Sequence, residues 1–79
     1  MVTLRLFASA REAAGTGRAE VDGRTVGDVL TAATRTYGDH FAAVLGTCRI
    51  WLNGEATDPS ATVRAHDEVA VLPPVSGGC

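Results

Sequence analysis

The strongest constraint on this chain is that its two ends carry matching strand patterns with one helical stripe between them. Val2-Thr3-Leu4-Arg5-Leu6-Phe7 alternates with period two, as a half-buried strand does. Val2, Leu4 and Leu6 share one face; Thr3, Arg5 and Phe7 share the other. Glu68-Val69-Ala70-Val71-Leu72 repeats the pattern at the far end. Pro73-Pro74 stop it, because proline cannot continue a ladder and favours an extended polyproline path. Between the two lie Val26, Val29, Leu30, Ala33 and Tyr37 at helical spacing. Thr25 is a good N-cap with Asp28 three positions on, and Gly38 is a good C-terminal stop. A chain of 79 residues has room for one domain and one core, so both terminal strands must share that core. A connection that runs through a helix suggests that they pair in parallel.

The remaining segments fill in the sheet. Gly15-Thr16-Gly17 reads as a turn and Arg18-Ala19-Glu20-Val21 as a second strand, expected to form a hairpin with the first through a long irregular connection. Asp39 to Leu45 suits a short second helix carrying Phe41, Val44 and Leu45. Cys48 to Asn53 reads as a third strand, and Asn53-Gly54 turns the chain. Asp58-Pro59-Ser60 is another turn. This order is too rich in strands for a helical bundle. The expected class is α+β: a mixed four- to five-stranded sheet covered on one face by one main helix, the ubiquitin-like β-grasp arrangement. Residues 1–72 form the expected domain, and 73–79 an extended flexible C-terminal tail.

Composition removes several function classes. The formal net charge is −2 with no basic run, which argues against nucleic acid as the main partner. No apolar stretch approaches the roughly 20 residues needed to cross a bilayer. No signal-peptide pattern opens the chain, so a cytoplasmic location and no membrane partner are expected. All seven basic residues are arginine, which excludes a Lys-dependent phosphate loop and a Schiff-base lysine, and also self-linkage through a lysine side chain. His40, Cys48, His66 and Cys79 fit no zinc spacing, so no metal site is expected. Cys48 falls in the inward phase as a small buried residue. His66 reads as a turn residue rather than a catalytic one.

Two features point towards function. The first is the ending Pro73-Pro74-Val75-Ser76-Gly77-Gly78-Cys79. Paired glycines are costly to order and offer nothing to bury, yet they make a bare strand that can enter a narrow enzyme channel. The six residues from Pro73 to Gly78 can reach about 20 Å from the sheet when extended. The second is the outward sheet face, where Phe7, Trp51 and Leu72 are large and apolar. Clustered, they would make an exposed patch of the kind that marks a partner surface, with aromatic members suited to a hot spot.

The residues that carry these features also resemble a known family. Leu6-Phe7-Ala8-Ser9-Ala10-Arg11-Glu12-Ala13-Ala14-Gly15, Thr25-Val26-Gly27-Asp28-Val29-Leu30 and Leu52-Asn53-Gly54-Glu55 are similar to segments of the MoaD/ThiS sulfur carriers. Asp67-Glu68-Val69-Ala70-Val71-Leu72-Pro73-Pro74-Val75-Ser76-Gly77-Gly78 is the most specific match, and resembles the molybdopterin synthase small subunit above all. The resemblance implies a carrier that is not itself an enzyme and binds no cofactor. An E1-like adenylyltransferase uses ATP to activate the carboxyl of Gly78, with Gly77 keeping the approach open. A sulfurtransferase supplies sulfur to make a thiocarboxylate. The molybdopterin synthase large subunit then receives the tail, for molybdenum cofactor biosynthesis. By matching position, Phe7, Arg11 and Leu72 fall at partner contacts, with Pro73, Pro74 and Val75 leading the tail in; Trp51 joins them on strand phase alone.

Two departures stand out. Ala65-His66 replaces the Asp-Gly that often precedes Asp-Glu-Val in the family. Cys79 ties up the Gly78 carboxyl in a peptide bond. The leading expectation is a precursor from which a metalloprotease removes Cys79. Alternatively, Gly78-Cys79 resembles the product of a cysteine-forming pathway, or the Cys79 thiol is itself active. The alternatives in function are a carrier for thiamin, cysteine, a thiolated tRNA base or a secondary metabolite, and a ubiquitin-like protein modifier.

Overall fold

A computed structural model describes residues 1–73 of the chain. Five strands and three helices run in the order β1 (Val2–Leu6), α1 (Ala8–Ala14), β2 (Arg18–Val21), α2 (Val26–Tyr37), α3 (Asp39–Leu45), β3 (Arg49–Leu52), β4 (Glu55–Ala56) and β5 (Glu68–Leu72). They form one sheet in the order β2-β1-β5-β3-β4. The terminal strands β1 and β5 pair in parallel at its centre, and the other pairs are antiparallel. This is the ubiquitin-like β-grasp fold, with the expected parallel centre.

The alternation read from sequence is the alternation of burial. Val2, Leu4 and Leu6 of β1 and Val69 and Val71 of β5 are buried, and they meet Val26, Val29 and Ala33 of α2. Each such Val or Leu contributes about 1.5–3 kcal/mol on full burial, so this two-sided contact dominates the stability. Phe41 of α3 fills the end of the core and stacks at a tilt on Tyr37, ring centroids 5.2 Å apart. Helix α2 begins at Thr25, whose hydroxyl accepts from the Asp28 N–H at 3.1 Å. The Asp28 carboxylate reaches back to the Arg24 N–H, so two otherwise orphaned donors are satisfied.

The structure corrects two expectations and supplies the fifth strand of the expected four to five. Residues 8–14 are not an irregular connection but the helix α1, which packs against α3 and buries Ala10. Its sequence is rich in alanine, the best helix former, but Phe7 precedes it without a side-chain cap. Gly15, at φ +79, ends it in the left-handed conformation and donates to the Arg11 carbonyl. The sheet also gains β4, a two-residue strand folded back by Asn53 and Gly54. Both residues have positive φ, as a tight two-residue hairpin turn requires. Finally, Cys48 lies just before β3 and is only half-buried, its thiol donating to the Val44 carbonyl at 3.2 Å. Burial raises the thiol pKa above its ordinary value, against a smaller lowering by Thr47.

A polar clasp holds the ends of the three central strands together. The Asp67 carboxylate accepts from the Arg64 N–H at 2.8 Å and from Asn53 Nδ2 at 3.1 Å. Asn53 Oδ1 accepts from the Glu68 N–H, and the Asp67 carbonyl accepts from the Thr3 N–H. His66 makes this turn at φ +75, a left-handed position where a Cβ costs about 1–2 kcal/mol.

Two outcomes are expected in urea denaturation. His66→Gly gains about 0.5–1 kcal/mol, because glycine adopts the left-handed turn without the Cβ clash. The acid limb of the stability profile carries a contribution from Asp67. Its pKa lies below the usual 3.8, first because of the Arg64 N–H and then because of Asn53. The folded-state pKa is the lower one, so the stabilisation is present above the unfolded value and is lost as pH falls through the folded one. Asp67→Asn makes that acid limb shallower; an unchanged limb would assign it to other carboxylates.

Candidate docking face and carrier tail

The outward face of the sheet is set by register. Trp51 of β3 lies opposite Ala70 of β5, and Ala70 lies opposite Arg5 of β1. Leu72 lies opposite Arg49, one step along the same face. Leu6 pairs with Val71, and the Phe7 N–H donates to the Val71 carbonyl at 3.2 Å, so Phe7 stands beside Leu72. Trp51 and Leu72 are diagonal neighbours across β3 and β5, a spacing that large side chains bridge. Phe7, Leu72, Ala70 and Trp51 thus form one continuous apolar band. Its exposure is uneven: Phe7 is 37% exposed, whereas Trp51 and Leu72 are half-buried.

Charged groups edge this band. The Arg5 guanidinium carbon sits 5.5 Å from the centroid of the Phe7 ring, a cation–π distance. Arg5 Nη1 also donates to Glu68 Oε2 at 3.5 Å, so Phe7 rests on a side chain that is itself held. Ala8 has φ +50, so the chain leaves β1 through a left-handed residue at the point where Phe7 projects. Arg11, on the exposed side of α1, lies across Gly17: a Cβ added there would meet its Cδ and Nε at 3.5 Å. Sequence reasoning placed Arg11 here but missed Arg5, Arg18 and Glu68. The shared phase of Arg5 and Phe7 was the available signal.

The structure therefore puts Phe7, Trp51 and Leu72 on the outward face and brings Arg11 of α1 to a pocket that Phe7 also lines, with Pro73 following the end of β5 beside Phe7. Pro74, Val75, Gly77, Gly78 and Cys79 lie outside the described residues. Among the described residues no group of three or more His, Cys, Asp or Glu side chains could hold a metal ion, and no helix is long and apolar enough to cross a membrane. His40 is exposed on α3, away from His66 on the clasp turn.

The comparisons agree with this reading of the fold. The ThiS family profile matches residues 4–78, from the middle of β1 to the second glycine of the pair. The chain belongs to the ThiS family. It is similar to small archaeal modifier protein 1 of Haloferax volcanii, 40% identical over 85 aligned positions that cover 94% of this chain and 97% of that protein. The solution structure of small archaeal modifier protein 1 from Methanosarcina acetivorans superposes with a TM-score of 0.87 at 33% identity, covering 98% of this chain and 95% of that one. The complex of subunits 1 and 2 of the molybdopterin-converting factor from Helicobacter pylori contains a chain with the same fold. Its TM-score is 0.73 at 24% identity, covering 98% of this chain and 97% of that one. The chain is thus a member of a ubiquitin-like modifier and sulfur-carrier family.

Phe7→Ala is expected to leave the fold in place. Its ring is the exposed end of the band, so the variant is expected to unfold in urea within about 1 kcal/mol of the parent. Leu4→Ala, one step into the core, costs about 2–5 kcal/mol.

Proposed function

We propose that this protein is a sulfur carrier that works through the carboxyl of Gly78, as the small subunit of a molybdopterin synthase. The observation that carries the reading is the position of the glycine pair. Gly77-Gly78 follow the central strand β5 by a few residues, and the family match runs through them to residue 78. Pro73, the last described residue, follows Leu72 of that band, so a partner seated on the band lies close to where the tail begins.

The chemistry asks little of the carrier. A carboxylate is a poor electrophile; adenylation by an E1-like enzyme joins the Gly78 carboxylate to AMP and releases pyrophosphate from ATP. Sulfide-level sulfur supplied through a sulfurtransferase then attacks the acyl carbon, AMP leaves, and a C–S bond replaces the C–O bond. A Cβ at either of the last two positions would crowd that attack, and glycine has none. The chain therefore acts as a cytoplasmic carrier or subunit rather than an enzyme, and ATP is a substrate of its activating partner. The Gly78 carboxyl is in a peptide bond to Cys79, so a protease, of the metalloprotease type, must first hydrolyse that bond. The Pro73-Pro74-Val75-Ser76-Gly77-Gly78 ending favours the molybdopterin branch over carriers for thiamin, cysteine, tRNA thiolation or secondary metabolites. That a fold neighbour is half of a two-subunit converting factor supports a large-subunit partner.

A second reading has its own observation. The 40% identical relative is named a modifier protein, and an activated Gly78 carboxyl can acylate an amine as readily as it can accept sulfur. The two readings share activation and differ in the acceptor.

Intact mass of the protein from its native cells tests the proposal. The expected species ends at Gly78 with one terminal oxygen replaced by sulfur. A full-length, unmodified chain in cells actively making molybdenum cofactor would overturn it. Conjugates that survive denaturation, without any thiocarboxylate, would install the modifier reading instead. Gly78→Ala is expected to lower sulfur transfer at least tenfold while leaving the urea midpoint unchanged, since the substitution lies beyond the sheet.

A further inference from the structure

Beside the apolar band, at the end of β1, lies an open pocket of about 400 Å³ lined by Arg5, Phe7, Arg11, Thr16, Gly17 and Arg18. Leu6 completes the lining; three of the seven lining residues are arginines and none carries a carboxylate. The clustering is built into the backbone. Arg5 and Arg18 are direct partners across the antiparallel β1–β2 pair. Like charges directly opposite one another destabilise a sheet, so this arrangement works against the fold. Arg18 is held by the Thr16 hydroxyl, which accepts from its N–H and donates to its carbonyl. Arg11 is laid across Gly17.

The neighbouring acids balance the cluster only in part. Glu68 pairs with Arg5 at 3.5 Å, and Glu20 approaches Arg18 at 3.9 Å. Both lie outside the pocket lining, and Arg11 has no ion pair among the described residues. Three arginines face two glutamates, which leaves one guanidinium in excess at the pocket of a protein whose formal net charge is −2. Arginine presents a planar fork of donors suited to a carboxylate.

We propose that this pocket receives one Asp or Glu carboxylate from the protein partner that docks on the Phe7–Leu72–Trp51 band, so that a single partner surface offers an apolar contact and an acid beside it. The proposal rests on the reading of that band as a docking face. The carboxylate supplies the counter-charge that Arg11 lacks among the described residues, and it selects among partners by charge while the band supplies contact area. Arg11 is the primary donor, because neither Glu20 nor Glu68 competes for it. Arg5 couples the two halves, since its guanidinium touches both the pocket and the Phe7 ring.

The test is calorimetric titration of the full chain with the E1-like adenylyltransferase encoded in the same genome, at low and high sodium chloride. The variants are Arg11→Gln with Arg18→Gln, and Phe7→Ala, each checked for the parental circular dichroism. The arginine pair is expected to weaken binding about tenfold at low salt and to flatten its salt dependence, because the screened contribution is gone. Phe7→Ala weakens binding with the salt dependence retained. Charge reversal at one partner acid should restore binding to an Arg11→Glu variant. Binding by the arginine pair within twofold of the parent at both salts, while Phe7→Ala still weakens it, overturns the pocket and leaves the docking face standing. Loss of neither means that the docking face itself has failed. Competition by inorganic phosphate at the pocket, without any dependence of partner binding on the arginines, would identify a small-anion site and overturn the proposal.

Discussion

The parallel ladder between β1 and β5 pairs Leu4 with Val69 and Leu6 with Val71, and the Arg5–Glu68 side-chain bond across it joins residues 63 positions apart. Closing a loop of that length costs conformational entropy before any contact is made. The return comes from one side of the ladder, where Leu4, Leu6, Val69 and Val71 are buried against Val26, Val29 and Ala33. The same ladder sets the other side, because side chains alternate with period two. Placing those four residues inward forces Arg5, Ala70, Phe7 and Leu72 outward in a defined register, and a slip of one residue would invert both faces. The core and the outward face are therefore one decision. The Asn53–Asp67 clasp strengthens it by tying the turn before β5 to the end of β3 and to the Thr3 amide of β1.

The central ladder was legible because its signal is repetitive: two alternating strands and a capped stripe of five apolar residues each point to the same answer. Helix α1 was not, since Ala8–Ala14 is short, lacks a Ser, Thr, Asp or Asn cap, and buries only Ala10. Its stability comes from packing against α3, a tertiary contact that no local pattern reports. The two residues of β4 gave too short a pattern, although Asn53-Gly54 marked the turn that creates it. His66 was legible as a turn residue because its neighbours were strand and turn signals, and its φ of +75 is the geometry that glycine more often supplies.

The face was half legible for a related reason. Strand phase alone put Phe7, Trp51 and Leu72 on one side, and the β3–β5 register makes them one band. Phase does not report how deeply each side chain sits, which is why Trp51 and Leu72 are half-buried where open exposure was expected. The arginine pocket needed one further fact, the register between β1 and β2. That register depends on the connection between them, and the connection contains the unforeseen helix. Arg5 opposite Arg18 is visible only once α1 has been wound, because winding it shortens the path and fixes which residues of β2 meet β1.

A carrier divides recognition from chemistry, and this chain separates them along its length. The sheet face, the arginines and Phe7 are held by strands and helices, as precise recognition requires. In the proposed function the reacting carbon is that of Gly78, six positions in sequence after β5 ends at Leu72, so its activation asks for no change in the strand contacts. The absence of lysine from this sequence completes the separation. An activated glycyl carboxyl acylates any amine held close to it, and a mobile lysine on the carrier's own surface would compete with the intended acceptor at high effective concentration. With arginine as the only strong base among its side chains, the sequence carries positive charge without any side-chain amine that a tail activated as proposed could acylate. That holds whether the acceptor is sulfur or an amine of another protein, so the same composition serves both members of this family's repertoire.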